Sequence, residues 1–186
     1  MGLVVTIGGP HGTGKSTYAK MIARQFELRY VSAGQLFRDL AKEKGVSLEE
    51  LSKQAATSPE IDRMIDERSA VEAQKGDAVI EGQLAAWMAK DLAQVRIYLK
   101  APDEERVARI ASRDHLNYDA ARRQTLERER IQRERYQRYY GINIDDLCLY
   151  NIVIDTGSRS VESTCTELMS RIHAILRQDN TARNAK

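Results

Sequence analysis

The sequence predicts an α/β fold: a five-stranded parallel sheet flanked by helices and interrupted by two helical insertions. Three observations predict it. Short β-branched runs end at glycine, proline or aspartate turns, and segments of helical periodicity separate them. Two long stretches, 34–76 and 114–141, carry no strand signal.

The first strand is Leu3-Val4-Val5-Thr6-Ile7, stopped by Gly8-Gly9-Pro10. A short β-branched run of this kind, without alternation, suits a central strand covered on both faces. From Ser16 to Phe26, apolar residues at 19, 22, 23 and 26 repeat at helical spacing. Tyr30-Val31 is a second, shorter strand. The insertion at 34–76 reads as two or three helices, broken at Gly45-Val46-Ser47 and Ser58-Pro59, with Ser47 as an N-cap and Glu50 at the third helical position. Ala78-Val79-Ile80 forms the third strand, ending at Glu81-Gly82. Val95 to Leu99 forms the fourth, ending at Ala101-Pro102, and a helix follows from Asp103 to Ser112. After the second insertion, Asn151 to Ile154 forms the fifth strand and a last helix runs from Val161 to about Arg177. Strand–helix alternation with right-handed crossovers makes the sheet parallel. One domain is expected over 1–178, with a polar tail at 179–186.

Composition narrows the class. The 186 residues are 42% apolar, and 29 basic residues against 27 acidic leave a net charge of only +2. Neither disorder nor the electrostatic footprint of a nucleic-acid binder is expected from that balance. No run nears the ~18 apolar residues of a membrane span, and the first residues lack a signal-like pattern, so a cytoplasmic protein is expected. Cys148 and Cys165 stand alone, without metal-ligand spacing, and read as reduced packing residues.

The chemistry begins after the first strand. Gly9-Pro10-His11-Gly12-Thr13-Gly14-Lys15-Ser16 fits GxxxxGK[ST] between a strand and a helix, the placement a phosphate-binding loop requires. Glycines let backbone N–H groups from Gly8 to Thr17 close around phosphate oxygens, and the following helix adds its positive end. Lys15 is placed to bridge the outer phosphates and Ser16 to ligate Mg²⁺. Glu81, a carboxylate at a strand end, is a candidate to hold the magnesium through water, against the plainer reading of a solvent-facing strand end. The side chain of His11 reads as a variable loop position. No NKxD-type guanine motif is found, which argues against a GTPase, and the insertions suit mobile covers over a second substrate.

The second strand leads into Val31-Ser32-Ala33-Gly34-Gln35-Leu36-Phe37-Arg38, and here the chain resembles the nucleoside monophosphate kinases. The resemblance narrows to the cytidylate kinases of the short, archaeal-like type through the phosphate loop, VSAGQLFRDLAKEKG, VIEGQLAAWMAKD and RYQRYYGINIDDLCLYNIVIDT. It implies a P-loop NTPase-like core with a monophosphate-binding insertion and an arginine-bearing lid. It also implies Ser32, Gly34 and Gly82 beside the acceptor, Arg38 on the acceptor phosphate, and direct in-line transfer from ATP with Mg²⁺ to CMP or dCMP. Gln35 stands where that family usually has an acidic residue, Gln83 where it has Arg, and Ile131-Gln132 where it often has Ser-Glu.

Seven arginines fall between Arg122 and Arg138, interspersed with Glu127, Glu129 and Glu134. Some should form helix-surface pairs, and Arg128, Arg130 and Arg135 are the candidates to neutralise the transferring phosphoryl group. Tyr136, Tyr139 and Tyr140 fit either packing of the lid or stacking on RNA bases. The expected partners are therefore small molecules, ATP with CMP or dCMP, and not membrane or nucleic acid, handled by a monomer. Two alternatives remain open at this level: a kinase for another monophosphate or a small metabolite, and a nucleotide-binding protein without catalysis.

Overall fold

The computed structural model describes residues 2–184. Five strands, β1 (Val4–Gly8), β2 (Arg29–Ser32), β3 (Ala78–Glu81), β4 (Val95–Lys100) and β5 (Ile152–Asp155), form one sheet in the order β2-β3-β1-β4-β5. Every pairing is parallel. The central strand β1 is buried along its whole length, Thr6 included, as a strand covered on both faces is.

Each face of the sheet is covered. Helices α1 (Lys15–Gln25) and α8 (Val161–Asn184) place Tyr18, Ala19, Ile22, Leu168 and Ile172 against Val5, Ile7, Ile97 and Leu99. On the other face, α4 (Glu60–Gln74) and α5 (Ala85–Ala89) bring Ala73, Ala85 and Ala89 onto Val4 and Ile80, and small side chains let these helices lie close to the sheet. Between Gly82 and Ala85 the chain must pass under the next helix of the first insertion. A Cβ on Gly82 would come within 2.9 Å of the Ala33 Cβ, so glycine is what this close approach needs.

The first insertion holds three helices: α2 (Ala33–Glu43), α3 (Leu48–Thr57) and α4. Their breaks fall where the sequence places them, and Ser47 Oγ accepts the Glu50 N–H at 3.1 Å. Leu40, Ala41, Leu51, Ala55, Ile61 and Ile65 give the insertion a core of its own. The second insertion follows α6 (Asp103–Asp114) and is one long helix, α7 (Tyr118–Tyr140). Asn117 caps it by accepting the Ala120 N–H at 2.8 Å, and Gly141 ends it at φ 65°.

Two expectations are corrected. Helix α8 does not stop near Arg177 but continues to Asn184, through most of the segment read as a polar tail; the tail's last two residues lie outside the described residues. Cys148 is exposed rather than packed, although both thiols are free as expected.

Candidate active site

The carboxyl ends of β1, β2 and β3 converge, with Glu81 in register beside both Ile7 and Ser32. The phosphate loop, residues 9–14, turns out of β1 with Gly9, Gly12 and Gly14 at φ 133°, 79° and 85°. Gly9 has a second reason to be glycine: a Cβ would meet the Leu99 carbonyl oxygen at 2.1 Å. Within the loop, Lys15 Nζ donates to the Pro10 carbonyl at 2.7 Å, and Thr13 Oγ1 donates to the same oxygen at 2.9 Å. Burial holds the Lys15 pKa down to about 8, against the pull of Glu81 and Glu129.

Glu81 is buried rather than facing solvent. It accepts from Ser16 Oγ at 2.8 Å and from Tyr30 OH at 2.5 Å. Burial, then the bond to Glu81, raises the Tyr30 pKa, so the phenol keeps its proton and donates. A hydroxyl and a carboxylate beside a phosphate loop are the hard oxygen donors Mg²⁺ prefers. Among the described residues no cluster of three or more His, Cys, Asp or Glu could hold a metal by itself. That donor set fits an ion that keeps waters and takes its remaining ligands from phosphate.

A brace holds the loop from the side of α6. Arg106, only 3% exposed, donates to the His11 carbonyl at 2.7 Å and to Glu129 at 2.7 and 3.2 Å, with Asp103 at 2.5 Å. Burial opposes its charge, but the bonds to Glu129 and Asp103 win and its pKa is raised. Glu129 in turn accepts the His11 N–H at 2.9 Å. Thr156 Oγ1 donates to the Thr13 carbonyl at 3.0 Å, and Arg109 grips the Thr156 and Gly157 carbonyls at 2.6 and 2.9 Å.

At the end of β2, Ser32 caps α2 by accepting the Gln35 N–H at 3.3 Å. Arg38 Nε and Nη2 both donate to Gln35 Oε1, at 3.2 and 2.8 Å, while the Gln35 amide nitrogen donates to Asp39 at 2.8 Å. A neutral amide thus orients the guanidinium. Its Nη1 faces Gly34, where a Cβ would stand 3.6 Å away.

The arginines of α7 part company. Arg130 is spent on Glu127 and Glu134 at 2.7 and 2.6 Å on an exposed face. Arg135 is buried and lies 2.6 Å from Asp62, off the line of a hydrogen bond. Arg133 pairs with Asp145 at 2.9 Å, and Arg138 donates to the Ala56 carbonyl at 2.8 Å. Arg128 makes no hydrogen bond or ion pair among the described residues, and its charge bears on Lys15 and His11. Solvent reaches it, yet the surrounding protein, with Arg113 and Arg135, holds its pKa below the usual arginine value.

The three tyrosines pack. Tyr136 is buried, Tyr139 OH donates to the Ala56 carbonyl at 3.2 Å and Tyr140 OH to Asp66 at 2.6 Å. Burial pushes Asp62 up to about 6 and Asp66 up to about 7, the latter against the pull of its Tyr140 bond. His11 is no bystander. Its ring Nε2 lies 2.9 Å from Gln132 Oε1 and 3.5 Å from Gln83 Nε2. Burial first, then Arg128 and Lys15, hold the ring pKa down to about 3.

The strand order, the loop and the two helical insertions define a P-loop kinase fold. Shikimate kinase from Acinetobacter baumannii covers 94% of this chain with a TM-score of 0.58 at 14% identity, 94% of that chain being matched. A gluconokinase from Sinorhizobium meliloti covers all of it at 0.61 and 12%, with 98% of that chain matched. The chain belongs to the cytidylate kinase-like family, whose sequence pattern matches residues 4–158. A cytidylate kinase of Staphylothermus marinus is 44% identical over 95% of this chain and 99% of the relative. One from Methanopyrus kandleri is 40% identical over 96% and 97%, and one from Methanocaldococcus jannaschii 43% over 91% and 97%.

Proposed function

We propose that this protein transfers the γ-phosphoryl group of ATP to CMP and dCMP, giving ADP with CDP or dCDP. The observation that carries this reading is the match, over nearly the whole of both chains, to relatives named cytidylate kinase. The geometry supports it with a phosphate loop on one side and, on the other, Arg38 oriented by a neutral amide and without an ion pair among the described residues.

An oxygen of the acceptor phosphate attacks the γ-phosphorus in line, and the bond to the β,γ-bridging oxygen breaks; no covalent enzyme intermediate is needed. Backbone N–H groups of the loop and Lys15 hold the outer phosphates. Lys15 exchanges its bond to the Pro10 carbonyl for phosphate oxygen. Ser16, with Glu81 through water, would hold Mg²⁺, which would neutralise phosphate charge. Arg38 orients the acceptor phosphate beside Ser32 and Gly34. Gly82 keeps the neighbouring turn tight against α2. Of the three lid candidates, Arg128 is the one free to meet the transferring group. Arg130 serves the helix surface, and Arg135 braces α7 on α4. Among the described residues no helix is long and apolar enough to cross a membrane.

ADP release measured with each monophosphate in turn tests the reading. CMP should show the highest kcat/KM and dCMP should also react, with UMP as the nearest competitor. Cytosine and uracil differ at the 4-position, where an amino donor replaces a carbonyl, and a site matched to one leaves the other unpaired. AMP as the best acceptor would overturn the assignment.

Arg38→Ala is expected to raise KM for the acceptor and lower kcat, since it removes the fork on the acceptor phosphate. The affinity for ATP alone should stay within about twofold, because the phosphate loop is untouched. A drop in ATP affinity with normal acceptor kinetics would move Arg38 to the donor side.

A pH dependence follows from Lys15. With its pKa lowered to about 8 in the free enzyme, the ammonium is present below that value and lost as pH rises through it. Anionic nucleotide binds the charged form, so kcat/KM for ATP should fall above pH 8 with that limb. A flat profile from pH 7 to 9.5 would contradict the assignment.

A further inference from the structure

We infer that His11 and Gln132 form a positioning pair that sets the rotation of α7 over the phosphate loop, and so aims Arg128 at the transferring phosphoryl group. The inference rests on the kinase reading above and concerns how the lid is registered. Helix α7, 23 residues or ~34 Å long, spans the site from α6 to the first insertion. Its N-terminal part packs Ala121 against Val107 and Ile110 of α6. Its C-terminal part is tied to the insertion through Arg135, Arg138, Tyr139 and Tyr140.

Between these ends, both hydrogen bonds from α7 to the phosphate loop, among the described residues, end on His11. One runs from its backbone N–H to Glu129, the other between its ring and Gln132. Only the second can be altered by changing the side chain of the loop. A carbonyl oxygen can only accept, so Gln132 Oε1 requires the ring to present a proton on Nε2. A neutral ring in that tautomer satisfies it.

The ring is also a meeting point. Gln83, on the turn after β3, brings its amide to the same nitrogen at 3.5 Å, and its own Oε1 is buried without a partner. A half-turn of that amide would give the orphaned oxygen the Nε2–H as donor. Loop, lid helix and the β3–α5 turn thus meet at one imidazole.

The consequence for Arg128 comes from helix geometry. Residues 128 and 132 are four apart on α7 and share a face. Fixing Gln132 on the loop therefore fixes the direction of Arg128. If the bond is lost, Glu129 still ties α7 to Arg106 and to the His11 N–H, but the face that carries Arg128 and Gln132 loses its own anchor on the loop and can tilt away from it. Phosphoryl transfer would slow, and water would reach the γ-phosphate more often.

The test measures CDP formation and total ADP release side by side. His11→Ala and Gln132→Ala are each expected to lower kcat on the order of 10-fold. KM for ATP and CMP should stay within about threefold, and the share of ATP lost to water should rise. The double variant should be no worse than either single one. His11→Gln, whose amide nitrogen reaches the place of Nε2, should restore the wild-type partition. It also keeps the test open, with Gln132→Ala, if His11→Ala does not fold. Multiplying effects, an unchanged hydrolysis share, or His11→Gln no better than His11→Ala would overturn the inference while leaving the kinase reading intact. A wild-type protein that transfers to no monophosphate would overturn both.

Discussion

Lys15→Ala is expected to cut turnover by about 100-fold or more while leaving the fold intact. The ammonium sits in the mouth of the loop on the Pro10 carbonyl, so no core packing depends on it. Its charge matters most when negative charge spreads over the transferring group, in a site where the surrounding protein replaces water. The effect should therefore fall on kcat as well as on nucleotide affinity. Lys15→Arg is not expected to rescue. The guanidinium is planar and broader than a point-like ammonium, and the loop around it is shaped by backbone, with Gly12 and Gly14 at positive φ. Steady-state kinetics with saturating CMP, alongside thermal unfolding, decide the matter. Near-normal turnover in a folded Lys15→Ala protein would remove Lys15 from the mechanism.

Much of this site is written locally, and that part is legible in the sequence. The strand before the loop, the loop itself, the breaks at Gly45 and Pro59, and the cap at Ser47 each depend on neighbours within a few positions. Helix α7 was legible as a helix for the same reason. What its arginines do was not legible, because that depends on partners far along the chain. Arg135 finds Asp62 and Arg133 finds Asp145, whereas Arg130 finds only its own helix. Arg128 stands apart by lacking a hydrogen-bond or ion-pair partner among the described residues, and no spacing rule reveals that. Tyr30 and Glu81 lie 51 positions apart and meet only because β2 and β3 are neighbours. The side chain of His11 could be read as a variable loop position until α7 was laid across it.

Arg106→Ala is expected to destabilise the protein by about 3–5 kcal/mol, the usual cost of breaking a buried ion pair from one side. Nothing in the spacing of α6 marks this arginine, yet it ties four partners together: the His11 carbonyl, both oxygens of Glu129, and Asp103. Without it, Glu129 is a buried carboxylate with only the His11 N–H left to it among the described residues, and the His11 carbonyl loses its donor. Against a total stability of about 5–15 kcal/mol, that loss would bring the protein near the edge of folding. Arg106→Lys should recover little, because a single ammonium cannot reproduce the fork on Glu129 while also reaching His11. Arg106→Met combined with Glu129→Leu should recover more stability than Arg106→Lys, since replacing both charges by apolar groups removes the unpaired carboxylate. That double variant should still be catalytically poor, because the loop has lost both grips on the His11 backbone and keeps only the ring's bond to Gln132. Urea unfolding of the three variants, read with turnover, separates the two roles of the brace. A loss below about 1 kcal/mol for Arg106→Ala would mean that water or Lys15 takes over the Glu129 carboxylate, and that the loop does not depend on this arginine for its shape.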